Sequence, residues 1–224
     1  EQAVKALKEG KTILYPTDTV WGLGCDATNA EAVQKIYNIK QRNESKALIV
    51  LLENLESVEK YVQAISPNIP KILEKAERPT TIIYPQAKNL AESLVAENGS
   101  IAIRMPNHDF CQQLLKAFGK PIVSTSANIS GEETPAFFDE VSEKVIEQVD
   151  FIVWGTTNSD RIEYVHPDSK SGYDDDKGLF NYTYDQHDIP LSDDSRFLNN
   201  VVSDTIINIV DTENGNPGSY SPKQ

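Results

Sequence analysis

The stretch Thr12-Ile13-Leu14-Tyr15-Pro16-Thr17-Asp18-Thr19-Val20-Trp21-Gly22-Leu23-Gly24 predicts a short strand followed by a polar loop. The run at 12–15 is mostly apolar and of strand length, and the strand should end at Pro16, which has no N–H to donate to a sheet. Two hydroxyls and a carboxylate then lie on the exit loop, where many α/β proteins hold their ligands. The glycines after them allow a tight turn or a close approach of the backbone to a ligand.

Strand and helix patterns alternate on both sides of this stretch. We predict strands at 12–15, 47–52, 80–84, 100–104, 121–124, 151–154 and 203–210, and helices at 2–9, 30–41, 54–63, 67–76, 88–96, 109–118 and 138–148. Asn29 and Asp109 are the expected N-caps of two of these helices, and Gly119 should end the second. The alternation predicts an α/β fold with a twisted, open, mixed sheet flanked by helices.

The composition changes after Gly155, so we divide the chain into a domain at 1–155 and an acidic loop or tail at 156–224. Residues 155–224 carry 13 acidic and 5 basic side chains, against 21 and 16 in the first 154 residues. Apolar periodicity is weak at 156–200, which predicts a long loop or a poorly ordered insertion. The one strand-like run in this part is at 203–210.

Composition also narrows the class of protein. A net charge of −13 argues against a surface broadly adapted to nucleic acid, although a local basic site fits in the first domain. No apolar run approaches the ~20 residues of a membrane-spanning helix, and no signal-peptide pattern begins the chain, so we expect a cytoplasmic protein without membrane contact. Two cysteines and three histidines have no metal-ligand spacing, and we assign no metal site.

Three clusters of polar residues are candidates for chemistry. Lys40, Arg42 and Lys46 could hold the phosphates of a nucleotide, or they could be the solvated end of a helix. Arg104, at the end of an alternating strand, could take a carboxylate or form a surface ion pair. The third cluster, at 124–131, places small hydroxyl side chains after a strand, where they can donate to phosphate or carboxylate. It is not a Walker loop, and no nucleophile–base order is present, which favours catalysis by positioning and charge neutralisation.

In order and spacing, the segments 16–24, 40–46, 100–106 and 124–131 together resemble the YrdC-like L-threonylcarbamoyladenylate synthases. The resemblance covers about residues 2–154 and implies a concave, basic cleft on the α/β sheet. It implies that L-threonine, bicarbonate and ATP give threonylcarbamoyl-AMP and pyrophosphate. The product serves the N6-threonylcarbamoyladenosine modification of tRNA through downstream tRNA threonylcarbamoyl transferase proteins, with contact to tRNA or double-stranded RNA as a further expectation.

The resemblance also implies roles for individual residues. The catalytic basic pair corresponds to Lys40 and Arg42. The positions that bind L-threonine are matched by Thr19, Arg104, Ser124 and Ser203. The positions that bind ATP are matched by Arg42, Lys46, Ser100, Ser126, Asn128 and Thr134. ATP is expected as a substrate, with Mg²⁺ on its phosphates and no carboxylate of the protein assigned to the ion.

Other classes of function remain open at this point. The chain could be a double-stranded RNA-binding module of the same fold without turnover, although its acidic balance weighs against strong phosphate contacts. It could also be a carbamoyl-adenylate domain of the hydrogenase-maturation type or a degenerate scaffold. Pyrophosphate release that depends on L-threonine and bicarbonate would separate the synthase from all three.

Overall fold

A single mixed sheet forms the centre of the protein in the computed structural model, which describes residues 1–42, 48–76, 78–135, 137–155, 162–165 and 205–208. Within these ranges the sheet has nine strands in the order β8-β7-β1-β2-β6-β3-β5-β4-β9. The strands are β1 (Ile13–Tyr15), β2 (Gly22–Gly24), β3 (Ile49–Leu51), β4 (Thr80–Tyr84), β5 (Ile101–Arg104), β6 (Ile122–Ser126), β7 (Phe151–Gly155), β8 (Ile162–Val165) and β9 (Thr205–Asn208).

Helices cover both faces of this sheet. In the described residues the α-helices are α1 (Gln2–Lys8), α2 (Ala30–Ile39), α3 (Leu55–Val58), α4 (Ile69–Glu74), α5 (Asp109–Phe118) and α6 (Glu143–Ile146), with 3₁₀-helices at Glu92–Leu94 and Phe138–Glu140. None of the helices in these ranges is both long enough and apolar enough to cross a membrane. The mixed sheet with helices on both faces confirms the predicted α/β class and the predicted mixed open sheet.

The two faces of the sheet carry separate apolar cores. Buried side chains such as Leu14, Leu23 and Val123 pack with α2 in one core. The alternate positions Ile13 and Ile122 pack with α1 and α5 in the other. This division follows from the alternation of side chains along a strand, which sends neighbouring residues to opposite faces. It also explains why β1 is apolar without interruption.

Several local predictions are confirmed. Strand β1 ends at Tyr15, directly before Pro16. Helix α2 begins after Asn29, whose Oδ1 accepts hydrogen bonds from the backbone N–H groups of Glu31 and Ala32 at 3.0 and 3.1 Å. Helix α5 ends at Gly119, which has a left-handed φ of 73°. Asp109 is the first residue of α5 rather than its N-cap, and His108 holds the cap position.

Two predicted helices are wrong over most of their length, and a third is interrupted. Only Glu92–Leu94 is helical in 88–96, since Asn89 has a φ of +57° and the N–H of Ala91 donates to the distant carbonyl of Ala27. The helix predicted at 54–63 shrinks to Leu55–Val58, because the chain turns to pair with 86–87. At 138–148 the extended backbone of Val141 separates a 3₁₀-turn from α6.

Two strands are absent from the sequence-based prediction. Strand β2 lies where a glycine loop was expected, between β1 and β6. Strand β8 lies inside the segment predicted as a long loop at 156–200, and it pairs with β7 in antiparallel fashion. The rest of 156–200 lies outside the described residues. The strand predicted at 203–210 is present at Thr205–Asn208 and joins the same sheet beside β4. The division at residue 155 stays a prediction.

Candidate active site

Polar side chains share the face of the sheet that carries α1 and α5. Arg104 and Ile122 both pair with Leu51 in β3, so the three side chains share this face. Alternation along β6 then places Ser124 and Ser126 on it as well. Ile122 and Arg104 lie at the same position along the strands, since both pair with Leu51. Ser126 lies four residues further along β6, which places it ~13 Å from them in the strand direction. The polar side chains on this face therefore span ~13 Å along the strands.

The loop between β1 and β2 is held in shape by Thr17. Its Oγ1 donates to the carbonyl of Val20 at 2.7 Å and accepts the backbone N–H groups of Thr19 and Val20, both at 3.2 Å. The hydroxyl of Thr19 lies 3.1 Å from the same oxygen. Thr17 therefore sets the turn, and the half-buried Thr19 is presented by it.

Asp18 joins this loop to the end of β5. Its Oδ1 lies 3.4 Å from Nη2 of Arg104, and the two side chains are only 8 and 2% exposed. Its Oδ2 accepts the backbone N–H of Asn107 at 3.1 Å. The thiol of Cys111 in α5 contacts the carbonyl of Pro16 at 3.4 Å, and burial raises the pKa of this thiol. Arg104 is thus buried beneath the loop and close to a carboxylate.

Gly22 lies where the loop and β6 meet. A Cβ built on it would lie 3.1 Å from Cγ2 of Thr17, 3.5 Å from the ring of Tyr15 and 3.6 Å from Oγ of Ser124. Thr17 and the buried Ser124 are therefore neighbours on either side of one backbone position. The loop that carries Thr19 therefore lies beside Ser124. Both residues match positions that bind L-threonine in the family that the sequence resembles.

Lys40, at the C-terminal cap of α2, fixes the chain that follows β6. Its ammonium donates to the carbonyls of Ser126 and Asn128 at 2.6 and 2.7 Å and to Oδ1 of Asn128 at 3.2 Å. Oγ of Ser126 donates to the same Oδ1 at 2.5 Å. Burial, assisted by the nearby charge of Arg42, lowers the pKa of Lys40 to about 8. We call residues 126–128, held in this way, the β6 exit loop.

Three further assigned residues lie in the described part of the chain. Arg42 is half-buried, its backbone N–H donates to the carbonyl of Tyr37, and burial lowers the pKa of its guanidinium. Thr134 is half-buried beyond the β6 exit loop. Ser100 precedes β5, at the opposite end from Arg104, and its Oγ donates to Oδ1 of Asn98 at 2.7 Å. Lys46 and Ser203 lie outside the described residues.

Titratable groups other than the assigned ones also face this region. His108 is half-buried near Asp18, and burial lowers the pKa of its imidazole. In the described part of the chain, no group of three or more His, Cys, Asp or Glu side chains could hold a metal ion.

Asp18 and Thr17 lie in the first motif, at 16–24, but no individual role was predicted for either residue. The signal for Asp18 was a lone carboxylate among hydroxyls on a strand exit.

The chain matches a known protein family over most of its length. The Sua5/YciO/YrdC family, described as "Telomere recombination", matches residues 5–164. A threonylcarbamoyl-AMP synthase of Pseudoalteromonas translucida is 38% identical over 154 residues, which cover 67% of this chain and 82% of that protein. One from Vibrio campbellii is 35% identical over 161 residues, covering 70% of this chain and 87% of that protein.

A solved structure has the same fold. The crystal structure of P. abyssi Sua5 complexed with L-threonine has a TM-score of 0.64 and 28% identity, and covers 67% of this chain. This chain spans less than half of that longer protein, with 45% of it covered. On the family match over residues 5–164 and the identity to the bacterial synthases, the chain belongs to the Sua5/YciO/YrdC family.

Proposed function

We propose that this chain is a threonylcarbamoyl-AMP synthase, which converts L-threonine, bicarbonate and ATP into threonylcarbamoyl-AMP and pyrophosphate. The observation that carries this proposal is the match to bacterial synthases over 82–87% of their length. The polar face supports it, since one end holds a buried arginine and the other holds a lysine-bound loop. The predicted basic cleft is part of this proposal.

The Arg104 end would bind L-threonine. A guanidinium suits a carboxylate because it offers paired donors in one plane. Arg104 would take the α-carboxylate there, while Thr19 and Ser124 would orient the rest of the amino acid. In this proposal, Gly22 lets Thr17 and Ser124 pack closely around the backbone, since a Cβ would lie 3.1 Å from Thr17 and 3.6 Å from Ser124.

The β6 exit loop would bind the nucleotide. Arg42 would neutralise phosphate oxygens, with Ser126, Asn128, Thr134 and Ser100 on the nucleotide side. Since the ammonium of Lys40 already donates to three protein oxygens, we assign it the task of fixing this loop. Lys46 and Ser203 would complete the ATP and threonine sites, respectively. Mg²⁺ would be held mainly by phosphate oxygens and water, as it usually is in nucleotide sites, because the described residues offer no carboxylate cluster.

The reaction then needs two bond-forming steps. The threonine amine, once it has lost a proton, attacks carbon dioxide or bicarbonate and gives an N-carboxy species, with water leaving in the second case. An oxygen of that carboxylate attacks the α-phosphorus of ATP, and pyrophosphate leaves. The protein contributes alignment and charge neutralisation, since no nucleophile of its own is required. The product would pass to tRNA threonylcarbamoyl transferase proteins, and direct tRNA contact is a further part of the proposal.

Pyrophosphate release is the test. We expect it to require L-threonine, bicarbonate and ATP together, and to fall to background in Arg42→Ala. Lys35→Ala is the matched control, because Lys35 lies on α2 with a side chain 49% exposed and pairs only at 3.5 Å with Asp150. Turnover without L-threonine, or full activity in Arg42→Ala, would contradict the proposal. A salt-dependent RNA shift with no turnover would favour the RNA-binding module instead.

A further inference from the structure

One oxygen of Asp18 is buried without a hydrogen bond. Among the described residues, Oδ1 of Asp18 accepts none, although it lies 3.4 Å from Nη2 of Arg104. Only 8% of the Asp18 side chain is exposed. The other oxygen, Oδ2, already accepts the N–H of Asn107, so the carboxylate is anchored at one side only.

Such an oxygen calls for a physical explanation. Buried carboxylates in folded proteins almost always have their acceptor positions filled, because the group gives up strong hydrogen bonds to water when it is buried. Arg104 neutralises the charge but leaves the acceptor direction of Oδ1 unfilled. A small, positively charged donor would compensate best for the lost hydration, because hydrogen bonds between charged groups are stronger than neutral ones.

We propose that Oδ1 of Asp18 binds the α-ammonium of L-threonine, so that Asp18 and Arg104 together recognise the zwitterion. This inference rests on the proposed function, since Arg104 is the carboxylate-binding residue there. In an α-amino acid the ammonium and the carboxylate are attached to one carbon, so two oppositely charged side chains side by side match them. The 3.4 Å separation of Oδ1 and Nη2 puts the two charges at the spacing that one amino acid can bridge.

Asp18 also gives the site a means of rejecting other ligands. A hydroxy or deamino acid of the same shape would leave Oδ1 unfilled, and sites built to hydrogen-bond a substrate group discriminate strongly against analogues that lack it. The residue also keeps its donor partner after the first step, because the N-carboxy nitrogen still carries one N–H. Asp18 is therefore a specificity residue for the amine of the substrate.

Ligand binding to the full chain tests this role. Calorimetry would measure L-threonine, and ligand-observed NMR would measure (R)-3-hydroxybutyrate, which has hydrogen in place of the ammonium. We expect Asp18→Asn to weaken L-threonine binding by about tenfold to a hundredfold, as for a hydrogen bond between charged groups. Binding of (R)-3-hydroxybutyrate should change by less than about threefold, since that ligand never used Oδ1.

Asp26→Asn is the matched control. Asp26 is also buried, but its carboxylate accepts hydrogen bonds from Thr28 and from Lys120, the latter at 2.8 Å, and is not the partner of Arg104. It should leave L-threonine binding within about threefold of the wild type, at a cost to stability only. Melting curves of both variants show whether they are folded.

Three results would overturn the inference. They are unchanged or tighter L-threonine binding in Asp18→Asn, equal losses for both ligands, and a wild type that prefers L-threonine over (R)-3-hydroxybutyrate by less than about threefold. The last comparison needs no variant, so it can overturn the inference even if Asp18→Asn does not fold. A wild type that binds no L-threonine contradicts the proposed function itself, whereas retained binding in Asp18→Asn contradicts only the role of Asp18.

Discussion

Replacing Lys40 by Met tests whether this residue stabilises the β6 exit loop. Methionine keeps an unbranched apolar stem and removes the ammonium, which now donates to the carbonyls of Ser126 and Asn128 and to Oδ1 of Asn128. Each hydrogen bond from a charged group contributes about 1.5–3 kcal/mol. Burial of the charge offsets about 3 kcal/mol of this, because the pKa falls from 10.5 to about 8 and each pH unit corresponds to 1.36 kcal/mol.

The net expectation is a free energy of unfolding lower by about 1–6 kcal/mol in Lys40→Met at neutral pH. Urea denaturation followed by circular dichroism, with linear extrapolation, measures it. Lys35→Met is the matched control, since Lys35 lies on the same helix with a side chain 49% exposed and one ion pair at 3.5 Å. Exposed pairs of this kind contribute less than about 1 kcal/mol.

The same substitution should affect the two substrates unequally. The β6 exit loop carries Ser126 and Asn128, two of the residues assigned to ATP, so the KM for ATP should rise more than the KM for L-threonine. A Lys40→Met protein that unfolds within about 1 kcal/mol of the wild type would refute the structural reasoning, since three buried acceptors would then have lost their donor without consequence. Normal stability with abolished turnover would instead indicate that Lys40 contacts the substrates directly.

Three further outcomes follow from burial and close packing. As the pH rises, the folded chain loses the Lys40 proton at a lower pH than the unfolded chain does. The free energy of unfolding of the wild type, relative to that of Lys40→Met, should therefore rise between about pH 8 and about pH 10.5. Denaturation experiments across that pH range measure this difference. Gly24→Ala should destabilise the fold by about 3 kcal/mol or more, because its Cβ would lie 2.6 Å from a backbone carbonyl of β6. Gly119→Ala is the milder change, since a Cβ there would have no atom within 4 Å and only the φ of +73° is unfavourable. It should lower the free energy of unfolding by about 1 kcal/mol in the same assay. Burial raises the pKa of Cys25 and Cys111, so an aromatic disulfide reagent should titrate the two thiols only after denaturation.

Where a local signal decides the structure, sequence was sufficient. Pro16 ends β1 because it lacks a donor, and Asn29 caps α2 because its side chain reaches two backbone N–H groups. By contrast, β2 contains two glycines in three residues, which is typical of a turn. It is a strand because β1 and β6 pair with it on either side, a condition no local pattern reveals. Long-range backbone bonds, such as that of Ala91 to Ala27, also replaced a predicted helix.

The candidate site was predictable in composition but less so in geometry. The resemblance named Arg104 and Ser124, and strand register puts both on one face. What sequence could not give was the contact between Asp18 and Arg104, since the two are far apart in the chain and meet only when the loop folds over β5. Nor could it show that the ammonium of Lys40 is directed to protein carbonyls, because helix-end lysines are usually solvated.

The contact between Thr12 and Asp150 has a consequence for synthesis of the protein. The carboxylate of Asp150 accepts the N–H and the hydroxyl of Thr12 across 138 residues, beside the pairing of β1 with β7. A nascent chain leaving the ribosome therefore contains β1 and its neighbour β2 long before β7, which pairs with the other edge of β1, exists. Closure of such distant pairs is slow, and the waiting apolar strand can bind other chains. Chaperone demand during translation should accordingly be greatest before residue 150 emerges.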